Sequence, residues 1–197
     1  MNIDSFNYKE FLPFYLTEDQ KIGLANALKD FSDTSLVFTN KYPNDTLQGD
    51  LWEKTPYMDF VSGRKDEIHV FVLSNSCDVD PSNSRDFPVF ITYAPVINFS
   101  AYENALVAKG FDAQVVAAKM FAIRGQKITN MMFLPAEGKV DVESIVLLDR
   151  AISVPYKAFA DAPNSQKLTS LNQFGHYLLS FKLSIHFCRM HEGLARG

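Results

Sequence analysis

Cysteine is almost missing from this chain. Cys77 and Cys188 are the only two in 197 residues, too few for a disulfide framework and in keeping with thiols held reduced. Long apolar runs are missing as well, since no stretch approaches the roughly 18 uninterrupted apolar residues of a membrane span. The opening Met1-Asn2-Ile3-Asp4-Ser5 lacks the basic-then-apolar pattern of a secretory leader. A cytoplasmic protein with no membrane partner is therefore expected. Nor is there an excess of positive charge: 19 Lys and Arg stand against 23 Asp and Glu, a formal net charge of -4. A polyanion would have to be met by a local basic patch rather than by the whole surface. Internal repeats, low-complexity tracts and a linker able to split the chain are absent too. What is abundant is apolar matter, 47% of residues with 17 Phe, the composition of a packed core. A single domain over residues 1–197 is expected.

The hydrophobic period predicts an α+β chain. Thr17-Glu18-Asp19-Gln20 reads as a capping box, and Leu24, Leu28 and Phe31 form one stripe of a helix ending near Phe31, so residues 1–45 make a helical lead-in. From Leu47 the period becomes that of strands. Leu47 to Trp52, Tyr57 to Val61 and Ile68 to Leu73 read as an antiparallel meander, followed by Val89 to Ile97, whose Pro95 suggests an edge or a bulge. A helical insertion at about 100–126 comes next. Ser100-Ala101-Tyr102-Glu103 is read as its capping box, and Asp112 as the cap of a second helix with Val116, Met120 and Ile123 on one stripe and Gly125 as its stop. Met131 to Leu134 and Ser144 to Val154 return as strands. Residues 165–193 are expected to form a long helix, apolar round nearly its whole circumference, either buried on several sides or offering a homodimer or partner-protein surface.

Between Gly49 and about Phe159 the strands resemble the MazF/PemK-like family of mRNA interferase toxins. The pieces that carry the resemblance are Gly49-Asp50-Leu51-Trp52, Val70-Phe71-Val72-Leu73-Ser74-Asn75, Tyr93-Ala94-Pro95-Val96, Phe133-Leu134-Pro135 and Glu143-Ser144-Ile145-Val146-Leu147-Leu148-Asp149. The resemblance implies a small antiparallel SH3-like β-barrel over residues 46–160, decorated by the helical insertion, the N-terminal helix and the long C-terminal helix, and frequently dimeric. It also implies a groove for single-stranded RNA, cut without metal or cofactor by an arginine before the central strand and a hydroxyl residue after the next. Here Ile68 and His69 stand at the first position, with Arg64 and Lys65 just before, and Ile97 and Asn98 stand at the second, with Ser100 just beyond. The family's catalytic positions are thus not retained.

Cleavage of a phosphodiester without metal needs a base for the 2′-hydroxyl and a cation for the developing charge. Arg64 or Lys65 would supply the cation, His69 or Asp78 the proton transfer, and Ser74 with Asn98 the positioning. Strand alternation puts His69 on the face of Phe71 and Leu73, which also fits a surface or structural histidine. Cys77-Asp78 lies just past a strand end, where a nucleophile could sit, although neighbouring carboxylates raise a thiol pKa and a buried thiol that organises the loop fits equally. Lys119 and Arg124, with Lys109, Lys127, Phe111 and Phe121, make the insertion locally basic and aromatic, as single-strand binding requires; a solvated face with buried Phe fits as well. Asp78-Val79-Asp80-Pro81-Ser82-Asn83 lacks the glycine and the closing glutamate of a calcium loop. The functional expectation is a barrel of toxin or phage-defence type that binds or cleaves single-stranded RNA. The alternatives are a non-catalytic scaffold dimerising through the C-terminal helix, and a metal-dependent enzyme built on Cys77, Asp78 and a C-terminal histidine.

Overall fold

A computed structural model of the protein describes residues 36–80, 82–83 and 86–188. The helix expected at 17–31 and the last residues of the C-terminal helix, His191 among them, lie outside the described residues. The described chain is α+β, built on one curled antiparallel sheet. Its strands are β1 (Phe38–Thr39), β2 (Leu51–Met58), β3 (Lys65–Val72), β4 (Phe90–Asn98), β5 (Met131–Leu134), β6 (Ser144–Leu147), β7 (Ile152–Pro155) and β8 (Gln166–Leu171). They are ordered β1-β8-β2-β3-β4-β6-β5, with β7 on the free part of β4. The helices are α1 (Ser76–Val79), α2 (Phe99–Ala108), α3 (Ala113–Arg124), α4 (Tyr156–Ala160) and α5 (Gln173–Cys188).

Period-two alternation divides the apolar residues between two faces. Phe71 and Leu73 of the β3 region join Met132, Leu134, Val146 and Leu148 in a core completed by Leu178 and Leu179 of α5. Val70 and Val72 face the other way, into a cluster with Ile91, Tyr93 and Phe159 of α4. A third cluster joins Phe133, Ile145 and Leu147 to Leu106 of α2 and to Val116, Met120 and Ile123 of α3. Asp112 caps α3 by accepting from the Gln114 and Val115 amides, and Gly125 ends it, as the sequence predicts. The curl is tied across its edges where Glu137 Oε2, in the β5–β6 turn, accepts from Val37 N at 2.8 Å beside β1.

Several boundaries differ from the sequence reading, each for a tertiary reason. Leu47–Asp50 is a turn rather than a strand start, closed by Leu47 N donating to Asp50 Oδ2. The strands expected at Leu47 to Trp52 and Tyr57 to Val61 are one, β2 (Leu51–Met58), which leaves Phe60 and Val61 in solvent. Pro95 is not at an edge: β4 lies inside the sheet, and Pro95 falls between the β7 ladder on Phe90–Tyr93 and the β6 ladder on Val96–Asn98. On that side no amide is demanded there, so its missing donor is harmless. The strand expected at 144–154 is broken by a 3-10 turn at Leu148–Arg150, which sinks Leu148 into the core and lets β6 and β7 pair different halves of β4. Asn98, not the Ser100-Glu103 box, caps α2, accepting from Ala101 N at 2.8 Å.

The C-terminal helix also begins later than expected. Residues 166–171 form β8 between β1 and β2, so the sheet draws on strands from both sides of 46–160. Asn172 then caps α5 by accepting from Gly175 N, while its own amide groups donate to the Val37 and Leu36 carbonyls. Tyr177, Leu178, Leu179 and Lys182 are buried within the chain, so part of the apolar girth of this helix is used by its own core, while Phe187 is exposed. Gly175 lets α5 approach β1 closely, because a Cβ there would stand 2.6 Å from the Val37 carbonyl oxygen. Gly175→Ala is accordingly expected to destabilise by about 2–4 kcal/mol, against a gain of up to about 1 kcal/mol from helix propensity. Urea unfolding measures this, and an alanine variant as stable as wild type contradicts the close contact.

Candidate functional site

The β2–β3 hairpin sets exposed apolar and basic side chains side by side. Its turn is built from Asp59, whose Oδ1 accepts from Val61 N at 2.8 Å and Ser62 N at 3.0 Å. Asp59 N donates to the Arg64 carbonyl and Gly63 N, at φ +70°, donates back to the Asp59 carbonyl. Those amide bonds stabilise the ionised form and hold the Asp59 carboxyl below its ordinary value. The turn thereby displays Phe60, 76% exposed, and Val61, 98% exposed, next to Arg64 and Lys65.

Under this hairpin lies a cleft of about 360 Å³, at the small end of ligand-sized sites. Tyr57, Tyr93, Phe159, Ile152 and Val154 form its floor, and Lys65 and Asp66 lie at its side. The Tyr93 hydroxyl donates to the Pro56 carbonyl at 2.6 Å and the Tyr57 hydroxyl to the Arg150 carbonyl at 3.0 Å. Burial pushes the Tyr93 hydroxyl up to about 12; burial, then the Asp59 charge, raises that of Tyr57. Both phenols are thus neutral at physiological pH, with their protons committed to backbone oxygens.

The sequence-selected residues fall in five places rather than one. Arg64 and Lys65 sit at the hairpin, where Arg64 pairs with Asp66 at 3.3 Å. His69 is further along β3, its Nε2 3.9 Å from Glu53 Oε2, half exposed at the bulged part of β2. Ser74, Cys77 and Asp78 lie past the other end of β3, about 23 Å from Lys65 at roughly 3.3 Å per residue. Ser74 Oγ accepts from Thr92 N at 2.7 Å, Ser76 Oγ from Gln48 N at 2.9 Å, and Asn75 caps α1. The polar residues of this bend therefore stitch it to β4 and to the Leu47–Asp50 turn. Cys77 is exposed, which corrects the alternative of a buried thiol. Asn98 is occupied as the cap of α2.

Lys119 and Arg124 are on α3, and their charges are already placed. Arg124 makes a two-pronged bond to Glu143 at 2.6 and 3.2 Å and lies over the Phe99 ring, while Lys119 sits 5.4 Å from the Tyr102 ring. Phe111 and Phe121 are exposed rather than buried, together with Val107 and Val115, so the helical insertion turns apolar as well as basic side chains to water. Among the described residues no group of three or more His, Cys, Asp or Glu gathers to hold a metal ion.

Two buried cations escaped the sequence reading. Lys167 of β8 bonds Asp50 Oδ2 at 2.8 Å and donates to the Tyr42 and Asp45 carbonyls at 2.7 Å, with Asp50 fully buried. Lys182 of α5 donates to the Gln126 and Ile128 carbonyls. Gln126 in turn bonds both backbone groups of Phe133, closing the outer side of β5. Among the described residues no helix is long and apolar enough to cross a membrane. No protein-family model matches the chain, and no curated protein is found similar to it.

Proposed function

We propose that this protein is a MazF/PemK-like barrel of toxin or phage-defence type that binds single-stranded RNA at the β2–β3 hairpin and does not cut it there. The observation that carries the reading is the exposed Phe60 beside Arg64 and Lys65 in the turn of a hairpin whose strands line a cleft shared with Phe159. Single strands are held by cations along the backbone and by aromatic faces under the bases, and both are present within one hairpin. Against cleavage stands the spacing of the would-be catalytic groups. Arg64 already faces Asp66, His69 faces Glu53, and Asp78 lies beyond the far end of β3, too distant to share one phosphodiester with Arg64.

Fluorescence anisotropy with a labelled, mixed-sequence single-stranded RNA tests this. Binding should weaken as salt rises, and Arg64→Glu with Lys65→Glu should flatten the logarithmic salt slope by about 1.4, at roughly 0.7 per phosphate contact. Phe60→Ala should lose about 1–3 kcal/mol, the worth of one stacked base. Absence of binding at low salt, or hairpin variants that bind like wild type, would overturn the proposal.

A further inference from the structure

We propose, resting on that reading, that the cleft beneath the hairpin accepts one unstacked base and prefers guanine, with Asp66 as the residue that reads it. The hydrogen-bonding inventory of the cleft leads there. Both tyrosine hydroxyls spend their protons on backbone carbonyls, and the Glu67 carboxylate is occupied through both oxygens by the Asn164 side-chain amide at 2.9 and 3.2 Å. Asp66 is different. It stands directly across from Tyr57 in the β2–β3 ladder, hence on the same face, and its side chain is half exposed with Arg64 as its neighbour at 3.3 Å. Arg64 Nη2 reaches both of its oxygens, but at 3.3 and 3.4 Å, longer than ordinary N–H···O bonds, and a carboxylate offers about four acceptor positions, so most stay open to a ligand. The cleft therefore presents an acceptor pair beside an aromatic lining.

Guanine matches that pattern. Its Watson–Crick edge sets two donors, N1–H and the N2 amine, side by side, a match for the two oxygens of one carboxylate. Adenine and cytosine each place one donor beside a bare ring nitrogen, which a carboxylate repels. Uracil places its single donor between two carbonyl oxygens. The expected order is guanine, then adenine and cytosine, then uracil.

The test uses the full chain and four labelled uridine-rich oligonucleotides identical except for one central base. Wild type should bind the guanine strand about tenfold more tightly than the uracil strand, in the range of a bidentate base contact. Asp66→Asn, whose amide offers one donor and one acceptor, should bind guanine no better than adenine while still binding RNA. Equal wild-type affinity for all four strands would overturn the guanine preference and leave RNA binding standing. A preference that survives in Asp66→Asn would overturn the role of Asp66. Failure of all four strands to bind sinks the RNA reading itself, and this inference with it. Asp66 is surface-accessible, and an unchanged circular dichroism spectrum and melting temperature establish that the variant is folded.

Discussion

Asp50→Ala is expected to lower stability by about 3–5 kcal/mol, because it leaves the Lys167 ammonium buried without its carboxylate. Asp50 is wholly buried and Lys167 nearly so, so neither charge recovers hydration when the other is removed. The same ammonium holds the Tyr42 and Asp45 carbonyls, and the carboxylate holds Leu47 N, so the pair pins the approach to β2 against β8. Lys167→Met should be comparably harmful, but with a distinct pH dependence. Burial keeps the Asp50 carboxyl above the ordinary aspartate value even with Lys167 beside it, and removing the cation raises it further. A carboxyl raised in the fold binds its proton more tightly folded than unfolded, so stability falls as pH climbs from the unfolded value through the folded one. Lys167→Met should therefore lie nearest wild type in acid and furthest below it at neutral pH. Joining it to Asp50→Ala should recover part of the loss, short of full recovery because the two carbonyls lose their donor. Urea titrations at pH 4.5 and 7 on the three variants decide the matter. An Asp50→Ala loss under about 1 kcal/mol, or strictly additive losses, contradicts a coupled buried pair.

The sequence was most readable where structure is local. The alternation through Val70–Leu73 and the Asp112 cap with its Val116, Met120 and Ile123 stripe involve residues within a few positions of each other, and the fold realises them directly. What escaped depends on partners far along the chain. Gln166–Leu171 has too few apolar residues to announce a strand, and it becomes one because β1 and β2 supply a ladder on both sides. Lysine is ordinarily a surface residue, so Lys167 and Lys182 gave no hint of burial. The cleft was invisible for the same reason: Tyr57 and Asp66 meet across one hairpin, but Ile152, Val154 and Phe159 arrive through the pairing of β7 with β4. Of the residues selected from sequence, only Lys65 lines the cleft.

Lys182 gives the second large effect, and its sign is opposite to that of an ordinary ion pair. Burial brings its pKa down from 10.5 to about 8. A lysine depressed in the fold binds its proton less tightly folded than unfolded, so the folded state is penalised below pH 8 and gains as pH rises from 8 toward 10.5. At about 1.4 kcal/mol per unit, that gain amounts to about 3 kcal/mol. Above pH 10 the trend reverses, since Tyr93, raised to about 12, stays protonated in the fold while the unfolded chain ionises. Stability should therefore climb between pH 8 and 10, pass a maximum near 10, and decline beyond. Lys182→Met removes the climb. At pH 7 relief from burying an ammonium offsets the loss of donors to the Gln126 and Ile128 carbonyls, so the variant should lie close to wild type. At pH 10, where wild type carries a neutral amine still able to donate, the variant should be weaker by about 1–3 kcal/mol. Guanidinium unfolding from pH 7 to 11 measures both curves, and a wild-type stability that is flat or falling between pH 8 and 10 would show that the Lys182 amine is not the buried, depressed base described.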